Sequence, residues 1–329
     1  MSGSRFGRRG FLRTVTAGTA LATTGAAVTG AVPATATATT PAARPATRAG
    51  RATFRWLGTS GWRVDTGERT LLIDPFLTRF ATGLFDGAFD PATELTVDTE
   101  AIAEHAGTPE TILVTHAHWD HFSDVPHIAE TTGARVVGTA TTYNLGLAFG
   151  LDSARLSPVK GGEVFDFGDC VVEVIASLHS RNAAYSMAFP GVRTSPPATR
   201  PTTIGELPEG DTLAYQVTVK GGPSVFFMGA SDFVARNLTG LAPDVAMIAI
   251  PSSDAVHDYV PRLLAALDRP ATVVPVHWDH FEVPLVNPPR VPDAKTQRYL
   301  DAFLAAVRRV APDTRILLPA YLTPYSFSG

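Results

Sequence analysis

The amino-acid sequence predicts an α/β fold in which two β-sheets pack face to face and helices cover both outer sides, a four-layer αββα sandwich. Short apolar segments of strand length come in pairs along the chain, and segments with apolar residues at helical spacing separate the pairs. The chain has 329 residues, 45% of them hydrophobic, which is enough for a large core. Composition alone does not favour this arrangement over a doubly wound sheet, whereas the motifs described below do.

The first 50 residues have the layout of an export signal rather than of a folded domain. The paired arginines Arg8 and Arg9 precede a weakly apolar run over residues 14–32, which small residues follow. This layout predicts a twin-arginine signal peptide over residues 1–38 and a flexible leader over residues 39–50. A basic disordered tail is the alternative, and the run is too weakly apolar for a membrane anchor. We therefore expect an exported protein that is periplasmic, extracellular or at the cell surface.

Charge and cysteine content narrow the classes of partner. The formal net charge of −4 gives no basic surface of the kind that nucleic acid requires, so we expect no nucleic-acid partner. The only cysteine, Cys170, cannot form an intramolecular disulfide, and the strand pattern around it predicts a small core residue. Twin-arginine export carries folded proteins, so a metal could be loaded before export. The sequence indicates no oligomeric state.

The mature domain, predicted for residues 51–329, alternates strands with helices in chain order. β-branched and aromatic residues cluster between turn residues where strands are predicted, and apolar residues recur at helical spacing where helices are predicted. The predicted strands are 52–58, 70–75, 111–118, 134–139, 165–168, 170–180, 212–222, 224–233, 244–254, 272–280 and 315–320. The predicted helices are 99–107, 141–149, 259–267 and a segment after Val291.

Two loops are predicted to surround the site. Residues 190–211 are rich in Pro, Thr and Gly and show no periodicity. A loop of this length inside a compact domain is typical of a lid or of a disordered insertion. Together with residues 78–91, this loop is expected to determine which substrate the protein accepts.

A cluster of histidines follows directly on the strand ILVT. In an extended segment alternate side chains point to the same side, so His116, His118 and Asp120 can converge on one point. His121 points elsewhere unless a second metal lies there. Imidazole nitrogens and carboxylate oxygens are the ligands of a borderline divalent ion such as Zn²⁺. The sequence therefore predicts a metal site at this strand end.

The string HAHWDH resembles the HxHxDH motif of the metallo-β-lactamase superfamily, and the resemblance extends over most of residues 51–320. It implies the four-layer αββα metallo-β-lactamase sandwich. The opening WLGTSGWRV and the turn DPFL look closest to the ascorbate-lactonase-like and NAPE-phospholipase-D-like branches. The resemblance further implies that Asp74 supports the site from behind the ligands. It also implies that His179 completes a first metal set with His116 and His118.

The second metal set implied by the resemblance contains His277 with Asp120 and His121, and one position departs from the family pattern. The family's bridging acid directly follows a glycine at a strand end, but alanine follows Gly229 here. Asp232 lies two residues further along the chain. It either reaches the metals through a local bulge or caps the next helix.

The pentapeptide HWDHF occurs twice, at residues 118–122 and 277–281, and contains four of the nine histidines. In the second copy, His277 is the expected ligand, while Asp279 and His280 are expected at the rim, as supporting groups, substrate contacts or a proton donor. Trp119 and Trp278 are expected to be packing walls.

These residues predict an exported metal-dependent hydrolase that uses a metal-activated hydroxide on a lactone, ester or phosphodiester. The expected cofactors are two divalent ions, zinc or manganese, and the expected partner is a small-molecule or lipid-like substrate. Asp120 is expected to orient the hydroxide as well as to bind metal. His280 or His257 is expected to donate the proton to the leaving group.

Two alternatives remain open at the level of sequence. The first is a redox enzyme of the same fold that resembles persulfide dioxygenases, with a single iron held by His116, His118 and Asp232. The second is a non-catalytic metal-binding protein that keeps the scaffold.

Overall fold

The structure is a computed structural model that describes residues 52–329. The signal peptide predicted for residues 1–38 and the leader predicted for residues 39–50 lie outside these residues. Within the described part, the chain forms two seven-stranded sheets and seven α-helices. None of these helices combines the length and the apolar character needed to cross a membrane.

The first sheet contains the N-terminal strands and one short C-terminal strand. Its spatial order is β14-β1-β2-β3-β4-β5-β6. The half from β14 to β3 is antiparallel and the half from β3 to β6 is parallel. The strands are β1 (Thr53–Gly58), β2 (Gly61–Asp65), β3 (Thr70–Ile73), β4 (Thr111–Leu113), β5 (Arg135–Gly138), β6 (Leu156–Pro158) and β14 (Pro324–Tyr325).

The second sheet repeats this division into an antiparallel half and a parallel half. Its order is β13-β12-β11-β10-β9-β8-β7, antiparallel from β7 to β10 and parallel from β10 to β13. The strands are β7 (Val164–Asp166), β8 (Cys170–Ala176), β9 (Leu213–Val219), β10 (Ser224–Met228), β11 (Val245–Ala249), β12 (Thr272–Val276) and β13 (Arg315–Ile316).

Apolar residues on both faces of each sheet create the four layers. Between the sheets, Trp62 of β2 lies edge-on to Phe227 of β10 at a ring-centroid distance of 6.4 Å. Ile102, Ile128 and Leu145 pack from the helical side in a core cluster with strands of the first sheet. The helices are α1 (Thr99–His105), α2 (Trp119–Phe122), α3 (Val125–Thr132), α4 (Ala140–Ala148), α5 (Ala235–Leu238), α6 (Tyr259–Ala266) and α7 (Ala294–Val310).

Helices α6 and α7 belong to the core cluster of the second sheet, through residues such as Leu263 and Phe303. The predicted αββα sandwich is thereby confirmed. Cys170 is buried in β8, as its strand pattern predicts.

The observed elements differ from the predicted ones at two places that matter for the site. Strand β2 was not predicted. It pairs with β1 through a tight turn over Gly58 to Gly61, in which Gly58 and Thr59 have positive φ. The strand predicted over residues 111–118 ends at Leu113. Residues 114–118 are therefore free to leave the sheet and lead into α2.

The long loop predicted over residues 190–211 packs against the loop that follows β3. The backbone N–H of Leu95 donates to the carbonyl oxygen of Thr202 at 2.8 Å, and that of Ile204 donates to Thr93 at 3.0 Å. The side chains of Ile204 and Leu207 are fully buried. The two loops thus form one layer above the end of the first sheet.

Candidate metal centre

Six side chains that can ligate metals gather in two groups at one end of the sandwich. His116 and His118 lie in the segment between β4 and α2, whereas Asp120 and His121 lie in α2 itself. In each group the possible ligand atoms lie within 4.8 Å of one another. The groups are His116, His118 and His179, and Asp120, His121 and His277.

The helical turn of α2 explains why these four motif residues separate. The extended geometry predicted from the sequence aligns His116, His118 and Asp120 on one side. In the structure, α2 begins at Trp119, directly after His118, and carries Asp120 and His121 to the second group. The ligand sets implied by the family resemblance are therefore the sets that the structure brings together.

His179 and His277 come from the ends of two strands of the second sheet. His179 lies three residues after β8, and His277 directly follows β12. The backbone of His277 has φ +63°, a left-handed conformation that is costly for a residue with a side chain. Its N–H donates to the carbonyl oxygen of Thr59 at 2.8 Å, which holds this conformation in place.

The two groups are neighbours rather than separate sites. The rings of His116 and His121 have centroids 3.9 Å apart. Asp120 Oδ2 lies 3.1 Å from His277 Nε2 and 3.5 Å from His121 Nε2. All six side chains line one cavity of about 260 Å³.

The imidazoles of the first group are oriented by hydrogen bonds at the nitrogen that faces away from the site. His116 Nδ1 lies 3.1 Å from Thr115 Oγ1, His118 Nε2 lies 2.9 Å from the carbonyl oxygen of Ala188, and His179 Nδ1 lies 2.8 Å from that of Ser180. Metal-ligating histidines typically have such oxygen partners. Five imidazoles and one carboxylate are a donor set that suits zinc and similar divalent ions. The residues present therefore fit a metal centre.

Asp74 organises the second group from behind. Its carboxylate is fully buried and accepts hydrogen bonds from the backbone N–H of Thr115 at 2.7 Å and from the Thr115 hydroxyl. Asp74 Oδ2 also lies 2.8 Å from His121 Nδ1. A Cβ atom added at Gly229 would lie 2.0 Å from Thr115 Oγ1 and 2.8 Å from Asp74 Oδ2. Only glycine leaves room for this arrangement.

The three histidines of the first group have lowered pKa values. Burial, followed by the neighbouring His121, lowers the pKa of His116 well below its usual value. Burial and His179 lower the pKa of His118 to about 3, and burial lowers that of His179 to about 4. These imidazoles are therefore neutral at pH 7, which is the form that binds metal.

The second group carries the charges. Burial alone would lower the pKa of His121, but the carboxylates of Asp120 and Asp74 raise it to about 10. Burial alone would raise the pKa of Asp120, but His121 and His277 hold it well below its usual value. In the metal-free protein His121 is therefore protonated and Asp120 ionised at pH 7, and a metal ion that binds His121 would displace its proton.

The prediction that Asp232 bridges two metals is not supported by its position. Its carboxylate accepts a hydrogen bond from the backbone N–H of Phe233 at 2.8 Å, and it belongs to neither ligand group. The residue that lines the cavity is instead Ala230, next to Gly229. The reason is that the chain turns away from the site after Ala230, and backbone contacts of Asp232 with Leu178 and Ser177 hold that turn.

In the second HWDHF copy the aspartate, Asp279, pairs with an arginine instead of lying in a ligand group. Asp279 is fully buried and forms an ion pair with Arg79 at 3.0 Å. It also accepts hydrogen bonds from the Tyr321 hydroxyl and from the backbone N–H of Thr59, both at 2.9 Å. Since Thr59 in turn holds the backbone of His277, Asp279 supports that residue indirectly.

The two predicted proton donors do not line the cavity. The ring of His280 packs edge-on against Phe85 at 4.8 Å, because the chain turns towards that loop after Asp279. The side chain of His257 is 86% exposed and lies beside Asp258, in the loop before α6. The role of either residue as proton donor stays a prediction.

The tryptophans of the two copies pack as expected. Trp278 stacks on Trp56 at a centroid distance of 5.5 Å. Trp119 contacts Phe89 and Phe189 and forms one wall of the cavity.

Three supporting residues were not identified from sequence. Thr115 stands directly before His116, and Gly229 directly follows β10, so a position beside a ligand and a position at a strand end are the available signals. Arg79 lies in a loop without periodicity and carries no signal of its own.

Loss of the Asp279 partner should destabilise the protein. Replacing Arg79 by Met leaves a buried carboxylate without its counter-charge, so the free energy of unfolding should fall by about 3–5 kcal/mol in urea denaturation. The double variant Arg79→Met/Asp279→Asn should recover part of this loss. Arg55→Met is the matched control, since the Arg55–Asp65 pair is partly exposed and should cost less than about 1 kcal/mol. Equal losses at both sites would contradict this account.

The Asp74 carboxylate should determine metal affinity. We expect Asp74→Asn to weaken metal binding at the second group by about 10–100-fold, because the amide is a poorer acceptor for His121. Competition with a chromophoric chelator measures the affinity. Asp313→Asn, at an exposed position remote from the site, should leave it unchanged. An unchanged affinity in Asp74→Asn would refute the role of this hydrogen bond.

The metal-free protein should lose stability on acidification from pH 7 to pH 5. Imidazoles of the unfolded chain titrate near pH 6.5, whereas His116, His118 and His179 stay neutral to much lower pH in the folded chain. The unfolded chain then binds more protons, so the free energy of unfolding falls as the pH falls. The raised pKa of His121 acts in the opposite direction. The three histidines with lowered pKa values outweigh it, so the net effect of acidification is a loss of stability.

Urea denaturation of chelator-treated protein at the two pH values measures this dependence. His118→Gln should make it shallower, whereas His257→Gln, at an exposed ring, should not. A pH dependence that is the same in both variants would show that the buried imidazoles do not cause it.

Comparison with known proteins agrees with the fold and the site. Residues 54–227, slightly more than half of the chain, match the family model of the metallo-beta-lactamase superfamily. A UPF0173 metal-dependent hydrolase from Anaeromyxobacter sp. (strain K) is 26% identical over 253 residues, which cover 73% of this chain and 79% of the relative. Another, from Myxococcus xanthus, is 26% identical over 289 residues, 87% of this chain and 90% of the relative.

A solved structure shares the fold. Igni18, described as a novel metallo hydrolase from Ignicoccus hospitalis KIN4/I, superposes with a TM-score of 0.53 at 17% identity. The match covers 85% of this chain and 99% of that chain. The chain therefore belongs to the metallo-beta-lactamase superfamily and, at that level of description, is a metal-dependent hydrolase.

Proposed function

We propose that this protein holds two divalent ions, zinc or manganese, and hydrolyses an ester, lactone or phosphodiester. The observation that carries the proposal is the pair of adjacent ligand groups in one cavity, with Asp120 in contact with both His121 and His277. His116, His118 and His179 would hold one ion, and Asp120, His121 and His277 the other. Ions bound there would supply positive charge for a developing oxyanion and would lower the pKa of a water from 15.7 to about 7.

The protein's own residues supply position and charge. Asp120 is ionised at neutral pH, so one of its oxygens can accept a hydrogen bond from the attacking water. The imidazoles are held in single orientations by their oxygen partners, which reduces the reorganisation that ligand exchange requires. Trp119 and Phe281 exclude bulk water from one side of the cavity.

The redox alternative loses its proposed ligand set. It required His116, His118 and Asp232 around a single iron, and Asp232 belongs to neither ligand group. The six-residue arrangement instead supports a two-ion centre. Export by the twin-arginine route stays part of this proposal and rests on the N-terminal sequence alone.

Metal content and hydrolysis measured together test the proposal. Protein purified without metal-affinity resin should contain nearly two zinc or manganese ions per chain by elemental mass spectrometry. It should hydrolyse nitrophenyl esters, lactones or bis(4-nitrophenyl) phosphate, and a chelator should abolish this activity until metal is returned. Asp120→Ala should lose about one ion and at least 100-fold in kcat.

Asp313→Ala is the matched control, because Asp313 is exposed and far from the site in the fold. It should retain metal content and activity. Full occupancy without hydrolysis of any substrate would favour a non-catalytic metal-binding protein. One iron per chain, with no hydrolysis, would overturn the proposal in favour of redox chemistry.

A further inference from the structure

The cavity above the ligand groups has apolar walls contributed by five parts of the chain. The loop after β3 supplies two of the wall residues and the loop after β8 supplies one. Helix α2 supplies a tryptophan, and the segments after β10 and β12 supply one residue each. The apolar residues that define these walls are Leu84, Phe89, Trp119, Met187, Ala230 and Phe281.

An aromatic cluster ties the two loops together. Phe89 of the first loop lies 5.9 Å from Phe189 of the second and 5.8 Å from Trp119, while Trp119 lies 5.9 Å from Phe189. Ring pairs at these distances contribute stability beyond their buried area. The walls are therefore preformed, and the cavity does not have to be assembled by the ligand.

The described residues that line the cavity include neither lysine nor arginine. Arg181 lies in the chain between the lining residues Ser180 and Asn182, but its side chain is exposed and donates to the carbonyl oxygen of Tyr185. The polar side chain of Asn182 is used within its own loop, where it accepts from Ala184 N–H and donates to Ser186. Outside the ligand groups, the polar side chains that line the cavity are Ser180, Asn182, Ser186 and Ser252, and none of them is charged. A substrate that enters this cavity therefore meets mainly apolar surface there and no charged side chain.

This distribution bears on the class of substrate. Sites that transfer phosphoryl groups surround the anion with arginine, lysine or metal. Here only metal at the ligand groups would do so, because neither arginine nor lysine lines the rest of the cavity. A fixed charge placed against its apolar walls loses solvation without compensation. A carboxylic ester is neutral, and charge develops on it only at the carbonyl oxygen during the reaction. Apolar walls, with metal ions that would bind at one end, suit this pattern.

The size of the cavity limits the substrate. Its volume of about 260 Å³ corresponds to roughly nine water molecules, just below the usual range for drug-sized ligands. Leu84 is 39% exposed, and its side chain lines the cavity. An apolar group of medium length would cover this side chain and fill the available space.

We propose that the substrate is a neutral carboxylic ester or lactone with an apolar group of medium length beside the scissile bond. This inference rests on the proposed hydrolase function and deepens it. In the reaction, water adds its hydroxyl group to the carbonyl carbon, the bond from that carbon to the leaving oxygen breaks, and the leaving oxygen takes the proton. No oxidant or reductant is required.

A homologous series of 4-nitrophenyl esters from acetate to decanoate tests the inference on the metal-loaded protein. The value of kcat/KM should rise about two- to fourfold for each methylene that the walls bury, and then level off once the cavity is full. Bis(4-nitrophenyl) phosphate should be a poorer substrate than the best ester by at least 100-fold.

Leu84→Ala should lower the ratio of kcat/KM for octanoate to that for acetate by about tenfold, because it removes wall surface that only the longer chain contacts. Leu318→Ala is the matched control, since Leu318 is 48% exposed and does not line the cavity. It should leave the ratio unchanged. A second readout needs no catalysis: in ligand-observed NMR, 1-hexanol should bind the metal-free wild type more tightly than it binds Leu84→Ala.

The outcomes separate this inference from the function on which it rests. Metal-dependent hydrolysis that is insensitive to chain length, or fastest on the phosphodiester, would overturn the inference and leave the hydrolase intact. Failure of the fully loaded protein to hydrolyse any substrate would overturn both. A steep chain-length dependence that Leu84→Ala flattens, together with weaker hexanol binding in that variant, would support it.

Discussion

The buried carboxylate of Asp74 is the interaction on which the rest of the site depends. It follows β3 directly, adopts φ +42°, and receives hydrogen bonds from the backbone and hydroxyl of Thr115. Through Thr115 it fixes the exit of the chain from β4, and through His121 it fixes the second ligand group. A buried charge is stable only where such partners surround it, so the ends of several strands must meet at this point. Gly229 completes the arrangement because a side chain there would occupy the same space.

The electrostatics of the cavity follow from this construction. Three imidazoles are kept neutral by burial and by one another, while Asp120 stays ionised beside His121 and His277. The first group therefore presents the lone pairs of neutral imidazoles, and the second group presents the Asp120 carboxylate beside the protonated His121. In such surroundings each charge acts more strongly than it would in water. A cation bound there would be held firmly, and its field would be directed into a cavity that neither lysine nor arginine lines.

Much of the fold and most of the site could be predicted from sequence, because the signals are local. Alternating strand and helix patterns indicate the sandwich, and HAHWDH places four ligands in a stretch of six residues that follows a strand. The isolated histidines His179 and His277 required the family resemblance, since each stands alone in its own segment. Strand β2 was missed because only Thr59 and Ser60 separate Gly58 from Gly61. A turn this short does not stand out in the sequence as a boundary between two strands.

The two HWDHF copies show what the sequence by itself determined and what only the tertiary structure decided. The sequence determined that each copy follows a buried strand, because strand patterns and motif spacing are local properties. Tertiary contacts decided the roles of the remaining letters: in one copy the aspartate belongs to a ligand group, whereas in the other it pairs with Arg79, 200 positions earlier in the chain. They likewise turned Asp232 and His280 away from the cavity. Burial and charge pairing depend on groups distant in sequence, so identical strings acquire different chemistry.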